Sequence, residues 1–218
     1  MSRWSERARE QTTLARHVSC VDEIGALHTV AGMDVSFCPD GTYGCAVIVV
    51  LGANDLQVRE CVAFEGPVTT PYVPQFLGYR EIPLLAKAFA QLSAKPDLVI
   101  YDGNGLLHAR RCGAASQFGV LYDLPVIGCA KSAPVPLLPL QGSRGTKQPI
   151  LVENRPLGAQ LITRDEVKPL FVSIGHKVSL ERACNEILRF TPQFRQPEPI
   201  RQADQRSRER VRAWNKTP

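Results

Sequence analysis

Hydrophobic residues first recur at helical spacing near the start of the chain. Residues 3–18 interleave Arg, Glu and Gln with Ala8, Leu14, Ala15 and Val18, which predicts a helix. Residues 28–37 are β-branched and apolar and predict a strand, closed by the turn Cys38-Pro39-Asp40-Gly41-Thr42. Residues 43–51 give a second strand, Gly52 to Asp55 a second turn, and the alternation over residues 57–64 a third strand. Two short connections among three strands predict an antiparallel meander.

The rhythm then changes. From Gln75 to Leu92 the residues Phe76, Leu77, Ile82, Leu84, Leu85, Ala88, Phe89 and Leu92 keep helical spacing, with Pro83 acceptable only near the helix start. A short buried strand follows at residues 97–101, a small-residue helix at 112–122 and another buried strand at 125–130. Strand and helix in alternation predict parallel pairing. A later strand covers 170–175, and a helix 179–190 starts at Ser179, a good N-cap residue. Residues 134–156 hold five prolines and read as a surface loop.

Three antiparallel strands feeding a parallel pair through a helix is the ribonuclease-H-like order. The expected class is α/β, a mixed sheet flanked by helices, with Asp34 and Asp102 side by side on neighbouring strands. At 218 residues and 44% hydrophobic content, one domain spanning 1–218 is expected.

No apolar run of about 18 residues is present, so no transmembrane helix is expected. The charged start argues against a signal peptide. Seven scattered cysteines without a C-x-x-C suit a reducing, cytoplasmic setting. The net charge of +5 is uneven: residues 201–218 carry six basic and two acidic residues, a basic tail of net +4. Such a tail supports phosphate binding, although a solvated terminal helix has the same charge.

Candidate chemistry gathers around three acids. Asp102 ends an apolar strand and opens Asp-Gly-Asn-Gly, the place where α/β folds hold their functional groups. Asp34 lies inside the first strand, where a buried carboxylate needs a partner or a metal, unless the strand is half-exposed and the acid faces solvent. Glu81 falls in the first turn of the long helix, a position that helix-dipole effects alone also favour. Together the three form a hard, oxygen-rich set suited to magnesium handling phosphate.

His108 can orient a phosphate or water, or cap the next helix. Arg110 and Arg111 open that helix, one of them reaching a phosphate. Lys131, ending the next parallel strand, projects toward Asp102 and can neutralise developing phosphate charge, or snorkels to solvent from the strand end. Pro71-Tyr72-Val73-Pro74 pins an aromatic between prolines, as a base wedge or as a loop brace. His176 and Asp204 are further polar groups near element ends; His17 and His28 carry no signal.

These segments, taken together, resemble the endonuclease V family, nucleases acting at deaminated adenine. The matching stretches are Ala31 to Val35, Pro71 to Pro74 with Phe76 to Glu81, Asp102 to Gly105 through His108, Gly128 to Lys131, Pro169 to Val178 and Arg195 to Asp204, in family order. The resemblance implies a ribonuclease-H-like fold and magnesium, or manganese as substitute, held by Asp34, Glu81 and Asp102. It places Asp204 as a further active-site group, Lys131 beside the site and Tyr72 in a strand-separating wedge.

The implied reaction is hydrolysis of the second phosphodiester bond 3′ to inosine, leaving 3′-hydroxyl and 5′-phosphate ends. Gly103, Gly105, Gly113 and Gly128 would wall the base pocket, and Asn104, where many bacterial members carry His, would tune substrate choice. The expected partner is inosine-containing DNA or RNA, bound by a monomer without a membrane. An RNA-specific ribonuclease, a non-cleaving inosine-binding module and another ribonuclease-H-like nuclease are the alternatives.

Overall fold

The computed structural model describes residues 2–133 and 136–214. Three strands, β1 (Thr29–Phe37), β2 (Tyr43–Gly52) and β3 (Val58–Pro67), form the antiparallel meander. Helix α2 (Gly78–Phe89) then carries the chain to β4 (Leu98–Tyr101), which lies parallel to β1. Helix α3 (Ala114–Tyr122) leads to β5 (Val126–Ala130), parallel to β4. Strands β6 (Lys147–Val152), β7 (Arg155–Leu161) and β8 (Leu170–His176) complete an eight-stranded sheet in the order β3-β2-β1-β4-β5-β8-β7-β6. The remaining helices are α1 (Arg3–Ala15), α4 (Leu180–Arg189) and α5 (Glu198–Trp214).

Alternation along the central strands sends successive side chains to two cores. Val30, Val47, Leu98, Ile100 and Val172 pack with Ile187 of α4, its C-cap Phe190, and Ile200 and Val211 of α5 on one face. Ala31, Met33, Ile48, Val99 and Tyr101 pack with Leu85, Phe89 and Phe118 of α2 and α3 on the other. Both faces are covered, so the apolar residues of β1 as far as Val35 and those of β4 are buried whichever way they point, while Asp34 and Asp102 are only half-buried. Gly32 shows how close the α5 layer comes: a Cβ there would lie 2.1 Å from the carbonyl carbon of Pro199. No described helix is long and apolar enough to cross a membrane.

Four expectations need correction. Residues 134–156 are not a loop throughout: from Lys147 they build β6, the turn and the start of β7, while Pro134 and Val135 lie outside the described residues. Pro149 is tolerated because β6 is the sheet's edge. The β6–β7 turn uses Glu153 and Asn154, both at positive φ (51° and 61°), as a tight hairpin requires.

The basic tail is a packed helix as far as Trp214, with Lys216 outside the described residues. Its arginines are largely engaged: Arg201 with Glu198 at 2.7 Å, Arg208 with Asp204 at 2.8 Å, Arg210 with Glu65 at 3.2 Å. Finally, Arg110 and Arg111 do not open α3. Arg111 adopts φ 55°, which breaks the helix, and Gly113 is the N-cap. Left-handed Gln75 (φ 69°) likewise delays α2 to Gly78.

Candidate active site

Register sets the core of the site. Met33 pairs with Tyr101 on parallel strands, so Asp34 and Asp102, one residue further on each, stand level and adjacent. Helix α5 crosses β1 and adds Asp204 from its second turn. One carboxylate oxygen from each of Asp34, Asp102 and Asp204 lies within 4.8 Å of the others. Asp34 Oδ2 accepts a 2.5 Å hydrogen bond from the buried Ser207 hydroxyl, one turn beyond Asp204, and Ser36 Oγ lies 2.8 Å from that hydroxyl. Burial pushes the Asp34 carboxyl up to about 6; Ser207 opposes the shift, while Asp102 and Asp204 add to it.

Glu81 sits behind this group rather than within it. It is buried at the head of α2, where Tyr101 Oη donates to its Oε2 at 2.8 Å. Burial pushes it up to about 8 against the Tyr101 bond, and repulsion from Asp34 and Asp102 raises it further. Lys131 Nζ contacts Asp102 at 2.8 Å and Asp204 at 3.7 Å. Burial lowers the pKa of its ammonium, yet the surrounding carboxylates more than reverse that and hold it charged.

The donor set therefore fits a hard divalent cation. Three aspartate oxygens converge, and every ligand type is one that magnesium prefers. Repulsion among the acids is only partly relieved by Lys131 and, on Asp204, by the half-exposed Arg208. This cluster can hold a metal.

Beside it lies a wall with different chemistry. Pro71-Tyr72-Val73-Pro74 forms a surface loop with Tyr72 66% exposed. His108 Nδ1 accepts from the Arg110 amide at 3.2 Å, which puts the ring proton on Nε2, 3.0 Å from the Gln75 carbonyl. Burial lowers His108 to about 4, with the Gln75 bond opposing and Arg110 and Arg111 assisting, so the imidazole is neutral near pH 7. It caps no described helix. Arg110 turns inward to Gln11 and Gln75 rather than outward.

The loop borders two clefts. One of about 440 Å³ lies between Tyr72, Pro74, Leu107 and Val152. A smaller one of about 170 Å³ is walled by Tyr72, Leu77, Asn104, His108 and Gly113. Asn104 is two residues from Asp102, and Leu77 leads into the helix of Glu81, so this smaller cleft adjoins the acids.

The four glycines are close-packing points. A Cβ at Gly105 would meet the Ile174 carbonyl oxygen at 2.0 Å, at Gly113 the Asn104 carbonyl oxygen at 2.1 Å, and at Gly128 the Gly105 nitrogen at 2.6 Å. Gly103 is less constrained, with Tyr101 at 3.3 Å. His176 is a brace away from this chemistry, accepting from the Ser19 amide at 3.1 Å and facing Asp123 at 3.5 Å.

Sequence reasoning did not find Ser207, Tyr101, Gln11 or Gln75. The spacing Asp204-x-x-Ser207 was the one available sign, since positions three apart share a helix face. The other three depend on tertiary contacts.

A sheet of this order, flanked by helices and carrying a carboxylate cluster, is ribonuclease-H-like, and the molecule is a nuclease. The sequence profile of Endonuclease V matches residues 12–205, and the chain belongs to the Endonuclease V family. It is 45% identical to Endonuclease V of Nostoc sp. over 176 residues, 80% of either chain.

The catalytic domain of human Endonuclease V superimposes with a TM-score of 0.91 at 36% identity, covering 99% of this chain and 98% of that one. Endonuclease V of Ciona intestinalis, crystallised with a 23mer DNA containing an inosine followed by a ribo-adenosine, gives a TM-score of 0.87 at 28% identity over 98% and 100% of the two chains.

Proposed function

We propose that the chain is a magnesium-dependent endonuclease that hydrolyses the second phosphodiester bond 3′ to deoxyinosine or inosine. The products carry 3′-hydroxyl and 5′-phosphate ends, and the role is repair of deaminated adenine. The observation that carries this reading is the meeting of Asp34, Asp102 and Asp204 within 4.8 Å, beside Lys131, in an Endonuclease V chain. The Ciona relative's complex with inosine-containing DNA supports the substrate class.

Asp34, Asp102 and Asp204 would hold the magnesium, with the Glu81 carboxyl directly behind them. Bound magnesium supplies the positive charge that activates water and stabilises the leaving oxygen. The protein's own groups do the rest. Ser207 fixes the Asp34 carboxylate, and Tyr101 Oη holds one oxygen of Glu81. Lys131 is 40% exposed, so its ammonium can turn from Asp102 to a phosphate oxygen and neutralise charge developing there.

Tyr72 is the wedge, placed at the lip of both clefts. The smaller cleft takes the extruded base. Asn104 Oδ1 is buried there without a partner among the described residues, an acceptor suited to the N1–H of hypoxanthine, which adenine lacks. Inosine pairs weakly, so its extrusion costs less than that of a normal base. The enzyme acts as a monomer.

The test is cleavage of matched oligonucleotides carrying inosine or adenosine at one position, as single-stranded DNA, duplex DNA and RNA, with magnesium or with EDTA. A magnesium-dependent cut at the second bond 3′ to inosine supports the reading. Cutting that ignores inosine, or binding without cutting, contradicts it. A strong preference for the RNA arm moves the role from DNA repair to RNA turnover.

A further inference from the structure

Gln11 is the single fully buried side chain of α1. A buried carboxamide needs partners, and this one has three. Its Nε2 donates to the carbonyls of Gln75 (3.0 Å) and Cys112 (3.1 Å), and its Oε1 accepts from Arg110 Nε at 2.7 Å.

Gln75, directly after Pro74, is held in the left-handed region at φ 69°, uncommon for a residue with a Cβ. Its carbonyl accepts from Gln11 Nε2, His108 Nε2 and Arg110 Nη2, each at 3.0 Å, and its side-chain oxygen accepts from Arg110 Nη1 at 3.0 Å. The Arg110 guanidinium in turn lies 4.4 Å from the centre of the Phe76 ring. Three donors on one carbonyl overfill its two lone pairs, a convergence that local chain preference would not produce.

We propose that Gln11 and Gln75 are positioning residues for the Tyr72 loop. Gln11 is a latch that ties α1 to the left-handed Gln75 and thereby fixes the wall shared by the two clefts. The proposal rests on the inosine-endonuclease reading. None of the three Gln11 bonds involves Asp34, Asp102, Asp204 or Lys131, so the latch governs how substrate enters and does not touch the hydrolytic step. Duplex is affected most, because there the wedge must force paired strands apart.

Two variants separate the roles of the carboxamide. Gln11→Met keeps length and removes all three bonds, whereas Gln11→Glu keeps the acceptor for Arg110 and removes both donors. Each is expected to raise KM for inosine duplex about tenfold, the worth of a buried hydrogen bond at 1.4 kcal/mol per decade. Expected kcat is unchanged, and KM for single-stranded substrate moves less.

Hydrogen exchange of the amides in residues 71–77 is expected to quicken in both variants, a readout independent of cutting. Wild-type kinetics and wild-type exchange in both variants would overturn the proposal, as would a fall in kcat with KM unchanged. A wild-type protein that does not cut at inosine fails the functional reading instead, and the exchange data still decide the latch. Should Gln11→Met not fold, Gln11→Glu, which loses both donors to the Gln75 and Cys112 carbonyls while keeping the acceptor for Arg110, carries the same test.

Discussion

The acid cluster and the Tyr72 wall adjoin one another, yet they settle their electrostatics in opposite ways. At the cluster, Asp34, Asp102 and Asp204 converge with Glu81 behind them, and Lys131 with the outlying Arg208 answers them only in part. At the wall, Gln11, Gln75, His108 and Arg110 meet donor to acceptor, and the histidine is neutral. The first region stores repulsion that a cation would release. The second is densely cross-linked by hydrogen bonds and therefore rigid. Hydrolysis needs the former, and reproducible opening of base pairs needs the latter.

The largest effect should come from removing charge at the cluster. Asp34→Asn or Asp102→Asn is expected to lower cleavage at least about a thousandfold, the loss of several kcal/mol of transition-state stabilisation. Measured in EDTA, the Asp34→Asn protein should melt higher than wild type, because a buried repelling charge is gone. Loss of activity together with loss of stability would break the contrast between the regions.

Lys131→Met removes the cation that touches both Asp102 and Asp204. About a hundredfold lower kcat/KM is expected, in the range of a lost charge-stabilising group. Melting in EDTA should fall, opposite to Asp34→Asn. Tyr72→Ala acts at the wall instead, and about a tenfold loss of kcat/KM on duplex is expected, within the range of a lost base–aromatic contact. Single-stranded inosine substrate should be affected less, and equal losses on both substrates would remove the wedge role.

A smaller effect concerns pH. Glu81 has its pKa raised from 4.5 to about 8 in the folded protein. The folded state then binds more protons than the unfolded one, so stability is fully present below about 4.5 and falls as pH rises toward 8. Melting temperature in EDTA should decline across that window. The gain on adding magnesium should be greater at pH 8 than at pH 6, as scanning fluorimetry can check. An upward trend in EDTA would contradict repulsion between Glu81 and the neighbouring aspartates.

Much of this was legible in the chain. The meander and the parallel crossover followed from turn spacing and a change of hydrophobic period, and they place Asp34 beside Asp102 without further information. What escaped depended on contacts between distant segments. The β6–β7 hairpin hid because prolines mask an edge strand and because Glu153-Asn154 is not a glycine turn.

Helix α5 was visible only as charge, since its arginines dominate the pattern while Ala203, Ser207 and Val211 face inward. Removing its end would withdraw the hydrogen-bond partner of Asp34 rather than trim a tail. Gln11 carried no sign at all: a glutamine in a polar helix reads as solvent-facing until Gln75 and Arg110 are seen around it.

The central claim, that Asp34, Asp102 and Asp204 hold the catalytic metal, is tested most directly by anomalous diffraction from crystals soaked in manganese. A manganese peak bounded by these three carboxylates is expected, with Lys131 Nζ displaced from Asp102. No peak there, at a manganese concentration that supports cleavage in solution, would contradict it.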